Sequence, residues 1–333
     1  MSVEPDLDKL TARLRKAVGK LARGRRPVLA GPFTGEVGFE LLYWIPLLRW
    51  AVREFPELRG RLIVVSRGGV DHWLSGLDAR YVDLHSVAEP EELVAHRASF
   101  KQVEYTPFER EIVRRVRVRL GLPAVEVLHP SLLFGFYVHL RRSDPFAFVR
   151  AVSHSAEGCE GLAAVYQPLP EPELGPLESE LPEDFVAVRF YFRASFPDEP
   201  EHRAFVHSAI EALAATTNVV LLNHDMALDD HRDFRFDSAA GSVTSLAQLV
   251  SPEDNLRIQT IAISRARVFV GTYGGLAYLP PFLGVPSLAF NALPEHTLPW
   301  HQYLAQRIFE RPEWGGLMVL RPRDVQPLGM LAR

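Results

Sequence analysis

Residues 266–290 read ARVFVGTYGGLAYLPPFLGVPSLAF. Val268-Phe269-Val270 is a short apolar run, the pattern of a buried parallel strand. It ends at Gly271-Thr272-Tyr273-Gly274-Gly275; a helical stretch to Leu283 follows, then a second apolar run from Ser287 to Phe290. Strand, glycine turn, helix, strand is the order of a βαβ unit. Glycines let a backbone pass close to a ligand, and a helix starting there presents unpaired N–H groups and a positive dipole end. An anion, foremost a phosphate, suits such a turn. The alternative is an ordinary βαβ unit whose glycines only shape a tight turn, because a glycine-rich βα turn is a weak motif.

The same alternation runs outward from this stretch. Upstream lie a strand at Phe185–Tyr191, a helix to Ala215 with Asp198 and Glu201 resembling a capping box, and a strand at Val219–Leu222 ending in Asn223-His224-Asp225. Ser251-Pro252-Glu253-Asp254 is a second N-cap signature, opening a helix that ends near Arg265. The first half repeats the pattern, with strands at Val28–Ala30, Leu62–Ser66, Tyr81–Leu84 and Ala124–Leu128. Its helices fall at Phe39–Phe55, near Val70–Gly76, and at Thr106–Leu120. Leu132–Val152, apolar and aromatic with a basic break at Arg141-Arg142, fits neither pattern. Between the halves, Gln167–Asp184 carries Pro168, Pro170, Pro172, Pro176 and Pro182 among glutamates, which reads as a stiff linker or crossover rather than a core element.

The expected fold class is therefore α/β, with two Rossmann-like domains facing across a cleft. Residues 1–166 and 183–333 form the domains and 167–182 the linker. Ligands of such sheets sit at the carboxyl ends of the strands.

Composition narrows the partners. At 333 residues the chain exceeds the usual size of a single core, and 47% hydrophobic with 23% charged residues describes an ordinary globular protein. A net charge of -4 gives no electrostatic case for nucleic acid. The single cysteine, Cys159, excludes a disulfide framework and a cysteine zinc cluster and fits a reducing cytoplasm, as does an acidic start without a signal-peptide pattern.

Asp6–Arg26 reads as an amphipathic helix. Leu7, Leu10, Leu14, Ala17 or Val18, and Leu21 share one face, and Lys9, Arg13, Arg15, Lys16, Lys20, Arg23, Arg25 and Arg26 make the rest basic. Residues 6–26 could make a peripheral membrane contact, although packing against the helix's own domain is the commoner use of such a face. Lysine occurs only at positions 9, 16, 20 and 101, so a cation holding phosphate in the second half must be an arginine.

The loop Gly31-Pro32-Phe33-Thr34-Gly35-Glu36-Val37-Gly38-Phe39-Glu40 follows the first strand. It places Glu36 in a turn and Glu40 in the first turn of a helix. A carboxylate facing a partly dry cleft can serve as a general base; the alternative is that Glu36 is solvated and Glu40 offsets the helix dipole. Arg189 lies within an apolar strand and Arg193 just beyond it. A buried guanidinium needs a partner, either a phosphate at Gly274-Gly275 or a carboxylate such as Asp198. Asn223, His224 and Asp225, with Asp229, Asp230 and His231 after them, form a polar loop suited to nucleotide contact or to solvent. No spacing demands a metal, and no cofactor is expected.

Two stretches, IAISRARVFVGTYGGLAYLPPFLGVPSLAF (261–290) and GEVGFELLYWIPLLRWAVREFP (35–56), together resemble GT-B glycosyltransferases, particularly the ADP-heptosyltransferase-like and O-fucosyltransferase-like groups. The likeness covers the two ends of the chain and not its middle. It departs from the heptosyltransferase pattern at Gly35-Glu36, where that pattern has Gly-Asp, and at Tyr278, where it usually has His. The resemblance implies metal-independent, inverting transfer of a hexosyl, deoxyhexosyl or heptosyl group from a nucleotide-diphosphate sugar to a hydroxyl acceptor. Gly271, Gly274 and Gly275 would hold the diphosphate, with Arg193, and Arg189 beside it, neutralising charge. Asn223, His224, Asp225, Thr272 and Tyr273 would contact base and sugar, and Gly35 would line the loop from which Glu36, or else Glu40, takes the acceptor proton. A nucleotide-sugar epimerase on the same scaffold and a silent nucleotide-sugar-binding protein are the competing readings.

Overall fold

A computed structural model of the chain describes residues 7–96, 102–134, 151–153, 155–224, 226, 231–236 and 241–325. It comprises two compact units, Met1–Tyr166 with Pro252–Asp254 and Gln167–Ser251 with Asn255–Arg333.

The first unit is built on four parallel strands, β1 (Val28–Ala30), β2 (Leu62–Ser66), β3 (Arg80–Asp83) and β4 (Glu126–Leu128), in the order β3-β2-β1-β4. All of β1 and β2 is buried, which is why both read as unbroken apolar runs. Leu29, Ile63, Val65 and Val82 pack with Ile112, Val113 and Val116 of the helix Pro107–Arg119. The helix Leu7–Arg23 buries Leu10, Leu14, Val18 and Ala22, and Arg61 donates to the carbonyls of Leu21 and Ala22 in its last turn. Of the two sequence readings of this helix, packing is the one realised: its apolar stripe is committed to its own unit and only the basic face is exposed.

The second unit contains β5 (Phe185–Arg189), β6 (Tyr191–Phe192), β7 (Asn218–Leu221), β8 (Arg232–Asp233), β9 (Val243–Ser245), β10 (Phe269–Thr272), β11 (Ser287–Phe290) and β12 (Leu317–Leu320). Six of them form a parallel sheet in the order β12-β11-β10-β5-β7-β9, and β6 and β8 pair antiparallel as a small ribbon. Numbered in chain order within its own unit, the large sheet reads 3-2-1-4-5-6, the Rossmann order. The first sheet reads 3-2-1-4. Both therefore have a topological switch point, between β1 and β4 and between β5 and β10, where successive crossovers leave in opposite directions, the place at which open α/β sheets in general bind their ligands.

Several local expectations change. The helical stretch after the glycine turn is a 3-10 turn, Gly275–Tyr278, leading into the short α-helix Leu279–Phe282, so few peptide dipoles align behind the turn. Asp198 does not cap the following helix; Glu199 occupies the N-cap, while Asp198 pairs with Arg203 and Arg232. The helix expected from Ser251 begins at Asn255. The proline-rich stretch lies against the second unit: Leu169 donates its N–H to the Phe282 carbonyl at 2.7 Å, and Leu177 is fully buried. Of Leu132–Val152, residues 135–150 lie outside the described residues.

Candidate functional site

At the switch point of the second unit, β10 runs so close to β5 that a Cβ on Gly271 would fall inside contact distance of the Arg189 carbonyl. This glycine is required by strand packing, not by a ligand. Gly274 differs. Its backbone is extended, with φ at 175°, so its need for glycine is spatial: a Cβ there would collide with the Tyr191 hydroxyl and stand 3.5 Å from Arg193 Nη1. Arg193, in the tight turn that pairs it with Phe196, thus brings its guanidinium to the glycine turn. Gly275 begins the 3-10 turn beside it.

Arg189 has another occupation. It is buried, donates from Nη1 to Gln259 Oε1 at 2.6 Å, and lies 2.9 Å from His224 Nε2 and 3.4 Å from Asp233 Oδ1. An arginine only donates, so His224 Nε2 is the acceptor in that contact. The partners expected for Arg189 were a phosphate or Asp198; the partners found are Gln259, His224 and Asp233. They tie β5 to the β7 loop and to the ribbon, and they engage His224 internally as well.

Thr272 is similarly committed. Its hydroxyl accepts from the Tyr191 N–H and donates to the Tyr191 carbonyl, at 3.0 and 2.9 Å, clipping β10 to β6. Asn223 donates to the Phe190 carbonyl at 2.7 Å, and Asp225 lies outside the described residues. Tyr273 is buried with its hydroxyl 2.6 Å from that of Tyr278; burial raises its phenol pKa well above the usual value, so it stays protonated. The Tyr278 ring faces His301 at 6.4 Å between centroids, and burial pushes His301 down to about 3, leaving it neutral.

In the first unit the two loop carboxylates separate clearly. Glu36 is exposed, sits at the N-cap of Val37–Phe39 and makes no side-chain cap bond. Glu40 opens the π-helical turn Glu40–Trp44 and is buried. It does not merely face a helix dipole. Its Oε1 accepts from Ser66 Oγ at 2.5 Å, and Oε2 lies 3.4 Å from Arg67 Nη1. Burial raises its pKa to about 7, against the opposing pull of Arg67 and Ser66. Arg67 also donates to the carbonyl of Gly35 at 2.5 Å and to that of Phe33 at 3.5 Å. Gly35 has little room for a side chain, since a Cβ there would lie 2.8 Å from Gln102 Oε1 and 3.0 Å from the Phe33 ring.

A second buried carboxylate escaped the sequence reading. Glu109 accepts from the hydroxyls of Thr34 and Thr106 and from the Thr106 N–H, with His129 Nε2 at 3.4 Å and His96 Nε2 at 3.9 Å. His129 Nδ1 accepts the Ser131 N–H, so the ring proton sits on Nε2, pointing at Glu109. Burial would raise the Glu109 pKa, but the neighbouring His129 and His96 imidazoles, with the Thr106 N–H, outweigh it and hold the group at about 2. The signal was present in Thr106-x-x-Glu109, a capping box that the structure forms in full. Its further partners, Thr34 and His129, are remote in sequence.

Among the described residues, no group of three or more His, Cys, Asp or Glu is placed to hold a metal ion, and no helix is long and apolar enough to cross a membrane. No family model and no curated protein matches the sequence. Among solved structures, the chain is similar to the ADP-heptose LPS heptosyltransferase II of E. coli, at 15% identity over 92% of this chain and 96% of that one, with a TM-score of 0.47. It is also similar to a family 9 glycosyl transferase from Veillonella parvula DSM 2008 (12% identity, 91% and 88% covered, TM-score 0.45). A third is the UDP-GlcNAc 2-epimerase of Methanocaldococcus jannaschii (8% identity, 96% and 73% covered, TM-score 0.34). The strand order itself, rather than these loose likenesses, carries the assignment of the fold.

Proposed function

We propose that the protein is a glycosyltransferase that moves a sugar, with inversion and without a metal ion, from a nucleotide-diphosphate sugar to a hydroxyl acceptor. The observation that carries this reading is the placement of the Arg193 guanidinium against Gly274 at the switch point of a 3-2-1-4-5-6 sheet. The resemblance of residues 35–56 and 261–290 to GT-B enzymes supplies the reaction class. The acceptor oxygen bonds to the anomeric carbon as the bond from that carbon to the diphosphate oxygen breaks. The electron pair leaves on the diphosphate, whose charge Arg193 offsets at the moment it develops. The acceptor proton passes to Glu36, the carboxylate of the first loop that is exposed and not committed to a cap bond. Glu40, already bonded to Ser66 and facing Arg67, is the supporting carboxylate rather than the base.

A thermal-shift panel of ADP, GDP, UDP and dTDP and their sugars, run with and without EDTA, tests the donor assignment. A specific donor raises the midpoint by mass action in both conditions. No shift from any of them, or a shift abolished by EDTA, refutes the reading. With the donor in hand, Glu36→Gln should lower kcat by about 100-fold or more while leaving the donor's thermal shift unchanged. Full turnover in that variant removes Glu36 from the role.

A further inference from the structure

We infer that Arg67, a residue no motif singles out, is the positioning residue for Glu36, an assignment that rests on Glu36 being the base. The loop leading to Glu36 is tied down at nearly every step. Gly31 N–H donates to the Leu128 carbonyl and Phe33 N–H to the Val65 carbonyl, both at 2.9 Å. Thr34 donates its hydroxyl to Glu109 at 3.0 Å. The last point before Glu36 is the Gly35 carbonyl, and Arg67 Nη2 holds it at 2.5 Å while Nη1 reaches the Phe33 carbonyl.

Beyond Glu36 the chain is fixed again, because the Glu36 carbonyl accepts from Phe39 and Glu40 N–H at 3.1 and 3.2 Å. The guanidinium is itself held, with Glu40 Oε2 at 3.4 Å and the Phe33 ring centroid 5.9 Å from Cζ. Ser66 Oγ fixes the other oxygen of Glu40. Ser66 ends β2 and Arg67 follows it, so the grip is anchored in the sheet.

Only a planar, many-donor cation can serve two carbonyls and a carboxylate from one position; a lysine is a point charge on a flexible stem. Arg67 is 8% exposed and does not reach for solvent. The arrangement sets the exposed Glu36 side chain, which makes no cap bond, on a backbone held at the Gly35 carbonyl before it and at its own carbonyl after it. That is the preorganisation a general base needs, since misplacement by about 1 Å can lower a rate by about 100-fold.

Two measurements on the full chain test this. Hydrogen–deuterium exchange of wild type, Arg67→Lys and Glu40→Gln, each first checked for native circular dichroism, reads the brace directly and needs no substrate. The amides of Phe33, Phe39 and Glu40, whose N–H bonds lie on either side of the braced Gly35 carbonyl, should exchange at least about tenfold faster in Arg67→Lys and faster, by less, in Glu40→Gln, with residues 271–278 unchanged. Unchanged exchange at these three amides overturns the inference. The second measurement is a double-mutant cycle on release of nucleoside diphosphate from the sugar nucleotide giving the largest thermal shift. Arg67→Lys should lower kcat by about 10-fold or more with little change in donor KM, and it should add nothing in the Glu36→Gln background. Additive losses overturn the positioning role while leaving Glu36 as base. A Glu36→Gln variant with full turnover instead refutes the base assignment, whatever the exchange experiment shows of the brace.

Discussion

Gly274→Ala is the smallest change that probes the glycine turn, and the structure sets its expected size. The new methyl would sit well inside the 3.0 Å that real Cβ atoms keep from the Tyr191 hydroxyl. Tyr191 has little freedom to retreat. It is 3% exposed, its backbone N–H and carbonyl are both bonded to Thr272, its ring lies 4.3 Å from that of His231, and the Arg189 guanidinium sits 5.6 Å from its centroid. Overpacking of a close-packed site of this kind costs about 1–3 kcal/mol. For a unit of this size, each kcal/mol lowers Tm by about 2–4 °C.

Tyr191→Phe removes the colliding oxygen and leaves ring carbon Cζ at 3.2 Å from the added methyl, a tight but tolerable approach. The double variant should therefore recover most of the loss that Gly274→Ala causes alone, a coupling of about 1 kcal/mol or more. Thermal unfolding of the four proteins, with and without ADP, GDP, UDP and dTDP, is the assay. The nucleotide shift should vanish in Gly274→Ala. It should stay absent in the double variant, because the methyl still occupies the space beside Arg193 Nη1. Additive Tm changes would refute the packing argument, and a normal nucleotide shift in Gly274→Ala would remove the diphosphate from this turn.

The buried carboxylates of the first unit predict opposite pH dependences. Glu109 has a folded pKa of about 2 against an ordinary 4.5, so the unfolded chain binds more protons between those values. Its contribution of about 3 kcal/mol is complete above pH 4.5 and is lost as the pH falls toward 2. Urea unfolding should show Glu109→Gln less stable than wild type at pH 7, with the gap closing below pH 4.5; a gap independent of pH would contradict the assignment. Glu40, raised from 4.5 to about 7, binds its proton more tightly in the folded state, so it lowers stability as the pH rises from 4.5 to 7. Glu40→Gln should flatten that slope, and an unchanged slope would place the titration elsewhere.

The central strands were legible because burial on both faces turns them into short unbroken apolar runs. Phe185–Arg189 and Phe269–Thr272, which flank the switch point, are buried throughout. The edge strand β9, Val-Thr-Ser, is half-exposed and carries no such run, so nothing in its sequence announces it; the other edge, β12, is an apolar run, Leu-Met-Val-Leu, that is only half-buried and was not read as a strand. The ribbon of Tyr191–Phe192 with Arg232–Asp233 pairs residues so far apart that no local pattern announces it.

The site divides along the same line. The approach of Arg193 to Gly274 could be expected, because each follows a strand predicted to lie in one parallel sheet and the carboxyl ends of such strands meet. What a single charged residue binds could not. Arg189 and Arg193 have the same parity and similar surroundings in sequence, yet Arg189 is engaged by Gln259, His224 and Asp233 while Arg193 stands at the turn.

Glu36 and Glu40 pose the same problem. Four positions apart at the start of one helix, each could be read as a base, against a solvated Glu36 and a Glu40 that offsets the helix dipole. The difference between them comes from Ser66 and Arg67, which reach Glu40 only because β2 lies beside β1. A carboxylate's place in the chain tells that a charge is present. Whether it reacts or braces depends on which neighbouring strand end supplies its partner, and at the carboxyl end of this sheet β2 supplies Glu40 with a hydroxyl and a guanidinium and leaves Glu36 exposed.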